Sequence, residues 1–186
     1  MTNPTGPRPH DAVTVIGLGA MGATLARLFV QRGRRVTVWN RTADRATDLV
    51  AQGATLAPSP AAALQASPLV VVCLYDYAAS DAVWRSPGVD AALAGRTVVQ
   101  LTTGSPADAR RSLDWARSRG AAYLDGAIQA APGQMGQPDT PVLLSGDAAV
   151  HARVAPLLAD LAGAITYLGD AIDAAATMDL ATLSYV

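Results

Sequence analysis

The stretch "VIGLGAMGATLA" constrains this chain more than any other. It joins a β-branched apolar run, "AVTVIG", to a helical pattern, "AMGATLARLFVQRG", through Gly17, Leu18, Gly19, Ala20, Met21 and Gly22. A G-x-G-x-x-G spacing alone says little, but between a strand and a helix in the first βαβ unit each glycine acquires a physical task. Gly17 permits a tight turn. Gly19, without a Cβ, lets a diphosphate approach the backbone, and Gly22 lets the helix lie close to the sheet. The helix N-terminus then presents unbonded N–H groups and a positive dipole end to phosphate.

Strand-length apolar runs and helical patterns alternate along the rest of the chain. "RVTVWN" reads as the second strand and "TADRATDLVAQG" as a helix stopped by Gly53. "SPAAALQA" opens with Ser59 as N-cap and Pro60 at the first helical position. "LVVVCL" is apolar on both faces, as a central parallel strand should be, and "TVVQLT" is another strand. "SPADARRSLDWARSRG" repeats the Ser-Pro opening, with Leu113 and Trp115 as packing residues. "AYLDGAI", "PVLLSG" and "AITYLG" are strand candidates around the helix "DAAVHARVAPLLADLAG", in which Pro156 predicts a break or kink. The order predicts an α/β fold: a Rossmann-type, doubly wound, mostly parallel sheet covered on both faces. Three segments are expected: a flexible, Pro-rich leader at 1–11, a dinucleotide-binding domain at 12–169, and the beginning of a long interdomain helix at 170–186.

Composition excludes several function classes. The 14 Lys and Arg nearly cancel the 15 Asp and Glu, so bulk charge offers nothing to a nucleic acid. No apolar run approaches the length of a membrane span. All the basic residues are Arg, so no lysine can serve as a Schiff-base or ammonium catalyst. Together with the abundant Ala, this suggests a high-GC bacterial gene. The single cysteine, Cys73, sits in an apolar run and reads as inert core, consistent with a reducing, cytoplasmic setting. No metal site is expected.

The second strand selects the cofactor. Dinucleotide-binding folds that take NAD place Asp or Glu at its end, on the ribose 2′-hydroxyl. Here Asn40, Arg41 and Thr42 stand there instead. Arg41 can pair with a 2′-phosphate or stack on adenine, Asn40 and Thr42 can donate hydrogen bonds, and Arg45 lies one turn on. NADPH is therefore expected. Residues following "LVVVCL" and "TVVQLT" should line the cofactor, namely Leu74 and Tyr75, then Thr102 and Thr103. Asp76 reads as the cap of the helix "DYAASDAVW", and Asp125 as a structural residue holding a turn.

"GLGAMG", "VWNRT", "SPLVVVCLYDY", "LAGRTVVQLTTGSP", "YLDGAIQAAPGQMGQPDTPVLLSG" and "YLG" together resemble the NADPH-dependent imine reductases, relatives of the β-hydroxyacid dehydrogenases, from about Val13 onward. The resemblance implies a Rossmann domain followed by a long helix and a C-terminal helical domain. It also implies a homodimer whose subunits exchange those domains, each active site forming at the interface. The implied reaction delivers hydride from nicotinamide C4 to the carbon of a C=N bond in a small imine. Many members carry an Asp or Tyr on the connecting helix, where β-hydroxyacid dehydrogenases carry a catalytic Lys. Asp179 falls at that position, as a candidate for protonating the imine or anchoring the amine. A carboxylate stabilises a cationic iminium, and an apolar pocket would raise its pKa toward neutrality.

Departures also matter. The missing Lys, and "DGAIQAA" in place of the D-x-P-V-S-G-G segment, count against a β-hydroxyacid dehydrogenase. That enzyme and a non-catalytic NADP-binding module remain the alternatives. Gln100 stands where Asn is common and is expected to alter contacts near the nicotinamide; Met178 stands where an aromatic is frequent and is expected to reshape the pocket. The family's chains run longer, so this one is expected to stop just inside the connecting helix and to be inactive alone.

Overall fold

The structure, a computed structural model, describes residues 11–184. Apart from Asp11, the expected leader lies outside the described residues. Asp11 itself is bound, accepting from the Arg34 guanidinium at 2.8 Å, and Arg34 also reaches Asp160 at 2.7 Å.

The chain alternates strands and helices as β1 (Ala12–Ile16), α1 (Ala20–Gln31), β2 (Arg35–Trp39), α2 (Thr47–Ala51), β3 (Thr55–Leu56), α3 (Pro60–Ala66), β4 (Leu69–Val72), α4 (Tyr77–Trp84), α5 (Val89–Ala92), β5 (Thr97–Gln100), α6 (Pro106–Arg117), β6 (Ala122–Ile128), β7 (Pro141–Gly146), α7 (Ala148–Leu158), β8 (Ala164–Tyr167) and α8 (Ala174–Leu183). They build one eight-stranded sheet in the order β3-β2-β1-β4-β5-β6-β7-β8. Neighbours run parallel except β6 and β7, which pair antiparallel. The order reverses between β1 and β4, the switch point at which open α/β sheets form their binding crevice.

The side-chain period of a strand sorts the core into two layers. Val13, Val15, Leu69 and Val71 face Leu25 and Phe29 of α1. Ile16, Val70 and Val72 face Leu64, Val83 and Leu93 on the other side. Thr14 is fully buried among them, with its hydroxyl donating to the Ala63 carbonyl at 2.8 Å, so the polar position in β1 is satisfied.

Caps hold the helix starts. Ser59 accepts from the Ala62 amide, and Asp76 accepts from the Ala79 amide at 2.7 Å. Ser105 and Asp108 form a reciprocal capping box at α6.

The structure departs from the sequence reading in three elements. Residues 42–53 do not form one helix: a 3-10 turn over Ala43–Ala46 precedes the short α2. Only Ala46 and Leu49 are buried there, too narrow an apolar stripe to hold a longer helix. Pro156 does not break α7, which ends two residues after it, so the lost N–H bond falls in the last turn. The closing helix begins at Ala174, after a short bend and turn, rather than at Asp170, and it packs on β6 and β7.

Candidate functional site

The carboxyl ends of β1, β2, β4, β5 and β6 share one rim of the sheet. At the centre, Gly17 adopts φ +97° and donates its amide to the Trp39 carbonyl at 2.9 Å. A Cβ on Gly17 would lie 2.2 Å from the Cys73 carbonyl oxygen, and one on Gly22 would lie 2.0 Å from the Gly17 oxygen. The first and third glycines are therefore demanded by the protein itself. Gly19 is different: nothing lies within 4 Å of where its Cβ would be. It caps α1 in an extended conformation, with no side-chain cap and no acid in the first turn. The first amides of α1, from Ala20 and Met21 onward, have no intrahelical partner. An open surface above uncapped amides fits a phosphate-bearing ligand, and a side chain at Gly19 would intrude there.

Beside this loop lies a cleft of about 460 Å³ lined by Trp39, Asn40, Arg41, Ala43, Leu56, Ala57, Pro58, Ser59 and Pro60. Arg41 is exposed on its edge, Thr42 and Arg45 are exposed on the loop that follows, and neither arginine forms an ion pair among the described residues. Asn40, expected as a donor to the cofactor, is also engaged within the protein. Its Oδ1 accepts from the Leu18 amide at 3.0 Å and its Nδ2 donates to the Thr42 carbonyl at 2.9 Å. Asn40 ties the phosphate loop to the arginine-bearing loop. Residues 56–60, missed in the sequence, belong to the cleft because β3 pairs with β2; a two-residue strand leaves almost no periodic signal.

On the other side of the loop, the Leu74 amide donates to Thr102 Oγ1 at 2.9 Å. That hydroxyl donates to Gln100 Oε1 at 3.1 Å, and Gln100 Nε2 donates to Ser80 Oγ at 3.0 Å. Gln100 is fully buried and Thr102 nearly so. Both act as internal braces between the loops after β4 and β5, and Thr102 offers its hydroxyl to protein rather than to the cleft. Tyr75, at 93% exposure, and Thr103 project outward. Cys73 is half-buried, and burial pushes its thiol up to about 11, so it stays protonated.

Asp125 does not hold a turn. It sits mid-strand in β6, 2% exposed, and accepts from the Tyr77 hydroxyl at 2.6 Å. Burial raises its carboxyl to about 7 and pushes the Tyr77 phenol up as well. Tyr77 escaped the sequence reading, although Gly104 marked its place: a Cβ there would meet the Tyr77 ring at 2.2 Å.

Asp179 lies on the sheet-facing side of α8 and is 6% exposed. Burial raises its pKa, and a Gln129 contact opposes the rise. Gln129, just past the end of β6, places Nε2 3.5 Å from Asp179 Oδ1 and 2.6 Å from Thr182 Oγ1. Met178, expected to shape the pocket, faces outward at 45% exposure. Among the described residues no group of three or more His, Cys, Asp or Glu could hold a metal ion, and no helix is long and apolar enough to cross a membrane.

The glycine loop at the switch point and the arginine-edged cleft beside it define a Rossmann-type dinucleotide-binding domain. The chain belongs to the family of the NAD binding domain of 6-phosphogluconate dehydrogenase, whose profile matches residues 12–169. It is 36% identical over 174 residues to an NADPH-dependent reductive aminase of Aspergillus oryzae, covering 92% of this chain and 58% of that one. Among solved structures, an imine reductase from Myxococcus stipitatus in complex with NADP+ superposes with a TM-score of 0.91 at 41% identity, over 94% of this chain and 60% of that one. A reductive aminase from Aspergillus terreus, solved with NADPH4, cyclohexanone and allyl amine, gives 0.86 at 43% identity with the same coverage. The chain thus spans about 60% of the length of these relatives.

Proposed function

We propose that this chain is the NADPH-binding part of an oxidoreductase that reduces the C=N bond of small imines to amines. The observation that carries the reading is the pairing of an open, uncapped loop at Gly19 with a cleft edged by Arg41, which forms no ion pair among the described residues. The amides of α1 would hold the diphosphate, and Arg41 and Thr42 would hold the 2′-phosphate that distinguishes NADPH from NADH. The bound dinucleotide would supply hydride from the nicotinamide. Asn40 fixes the loops, while Gln100 and Thr102 brace the strand ends beside the nicotinamide.

Asp179 would hold or deliver the proton at the substrate nitrogen. Its burial favours the protonated acid at higher pH than an exposed Asp would allow, which suits that task. The related reductive aminases and imine reductases support the reaction class. The exposed Met178, Leu180 and Leu183 of α8 fit a site completed by further helices, such as those of a second subunit in a homodimer. A cytoplasmic location accords with the NADPH requirement and the single, unreactive thiol.

The test has two parts. Titration calorimetry on this chain should show NADPH binding well above NADH, and Arg41→Ala should cost NADPH about 1.5–3 kcal/mol while leaving NADH nearly unchanged. Equal losses for both dinucleotides would remove the cofactor assignment. The full-length protein should consume NADPH absorbance with a cyclic imine, and Asp179→Ala should slow that turnover by roughly a hundredfold or more. Oxidation of a 3-hydroxy acid instead would point to the β-hydroxyacid dehydrogenases.

A further inference from the structure

The polar residues inside the sheet near α8 are not used by the cofactor loop. Asp125 on β6 and Ser145 on β7 are register partners across the antiparallel pair, and both are buried. Ser145 Oγ donates to the Ile172 carbonyl at 2.8 Å and accepts from the Ala175 amide at 3.1 Å. The backbone amide of Ala176 faces the Asp125 carboxylate, which accepts from the Tyr77 hydroxyl. Asp173, in front of the helix, pairs with Arg110 of α6. Asp173 makes no side-chain cap bond; the Ala174 amide donates to the Ala171 carbonyl, and the Ala175 amide is satisfied from the sheet by Ser145.

We propose that Asp125 and Ser145 are positioning residues: together they seat the first turn of α8 on the sheet and thereby fix where Asp179 stands at the nucleotide rim. Ala175 and Asp179 are four residues apart on one helical face, so whatever fixes the first also fixes the second. Asp125 performs a second task through Tyr77, which opens α4 directly after the loop carrying Leu74 and Tyr75. One buried carboxylate therefore ties the loop expected beside the nicotinamide to the helix that bears the proposed acid. The importance of the seating for catalysis rests on the function proposed above; the seating itself does not.

Amide hydrogen exchange and carboxylate NMR on this chain, without cofactor, test it. Asp125→Ala leaves the Tyr77 hydroxyl without its acceptor and removes the carboxylate that faces the Ala176 amide. It should speed exchange at residues 175–180 by roughly tenfold or more while α1 amides stay protected. Asp125→Asn should restore most of that protection, because it keeps the side chain's shape, an oxygen facing the Ala176 amide and a hydrogen bond to the Tyr77 oxygen. In the Ala variant the Asp179 titration should move down toward the ordinary carboxylate range as water gains access. Ser145→Ala should reproduce the α8 effect and keeps the test alive if Asp125→Ala does not fold. Unchanged exchange in α8, or a uniform loss of protection throughout the sheet, would overturn the proposal. Failure of wild-type protein to bind NADPH would instead strike the proposed function and leave these readings untouched.

Discussion

At the scale of single residues, the three glycines of the loop separate into two kinds. Gly17 and Gly22 are required by neighbouring backbone, whereas Gly19 faces open space. Gly17→Ala combines a positive φ with a clash against Cys73 and should destabilise the domain by about 1–3 kcal/mol in chemical denaturation. Gly19→Ala should leave the denaturation midpoint almost unchanged and weaken NADPH binding by roughly tenfold or more, as measured by calorimetry. Losses of stability in both variants would mean that Gly19 serves the fold alone. The sequence identified the loop but not this division, because spacing shows where glycines fall and not what surrounds them. Asn40 and Thr102 carry the same lesson. Their chemistry suggested ligand contacts, and what spacing could not show is that each side-chain oxygen also accepts from a nearby backbone amide, here those of Leu18 and Leu74.

At the scale of elements, strong periodicity and capping signals were read directly. The Ser-Pro openings of α3 and α6 are capped by Ser59 and Ser105 as their side-chain chemistry requires. The weak elements are not legible: residues 42–53 carry a polar helix-like pattern with little apolar surface, and β3 is only two residues long. Asp125 was legible as a structural acid, but its partners come from α4 and α8, distant in sequence, and no local pattern encodes that meeting.

The environment of Asp125 has a measurable consequence. Tyr77 from α4 donates to it, the Ala176 amide of α8 faces it, Tyr123 lies on its own strand, and Asp108 of α6 and Asp173 before α8 add negative charge nearby. With a folded value of about 7, Asp125 binds its proton more tightly in the native state than in the unfolded chain. Folding therefore takes up a proton between the ordinary Asp range and about 7. Stability contributed by this group is largest on the acid side of that window and falls as pH rises through it. The melting temperature should drop on going from pH 5.5 to pH 8, and Asp125→Asn should flatten the drop. Asp179, also raised by burial, acts with the same sign and leaves a residual slope. An unchanged slope in the Asn variant would show that Asp125 does not carry the effect.

At the scale of the whole molecule, the cleft and loop span the two βαβ units that meet at β1, so a dinucleotide seated there bridges α1, the β2 end and the loops after β4 and β5. Binding only the native state, NADPH at a hundred times its dissociation constant should add about 2.7 kcal/mol to stability. For a domain of this size that corresponds to a rise in melting temperature of about 5–10 °C by calorimetry. NADH at the same concentration should give a smaller rise, and equal shifts would argue against recognition of the 2′-phosphate. The doubly wound arrangement was evident from the alternation of β-branched runs and helical patterns. The reversal between β6 and β7 was not, since both strands are short apolar runs that read alike in either direction.

That reversal decides where the last helix travels. Because β7 runs against β6, and β8 follows β7, the chain leaves the sheet at the end remote from the phosphate loop. The final helix must then climb back along β6, from Asp125 toward Gln129, and it reaches the business end with Asp179 aboard. With all eight strands aligned, the same helix would set out from that end and carry its acid away. The polarity of one pair of neighbours thus determines on which side of the domain Asp179 stands.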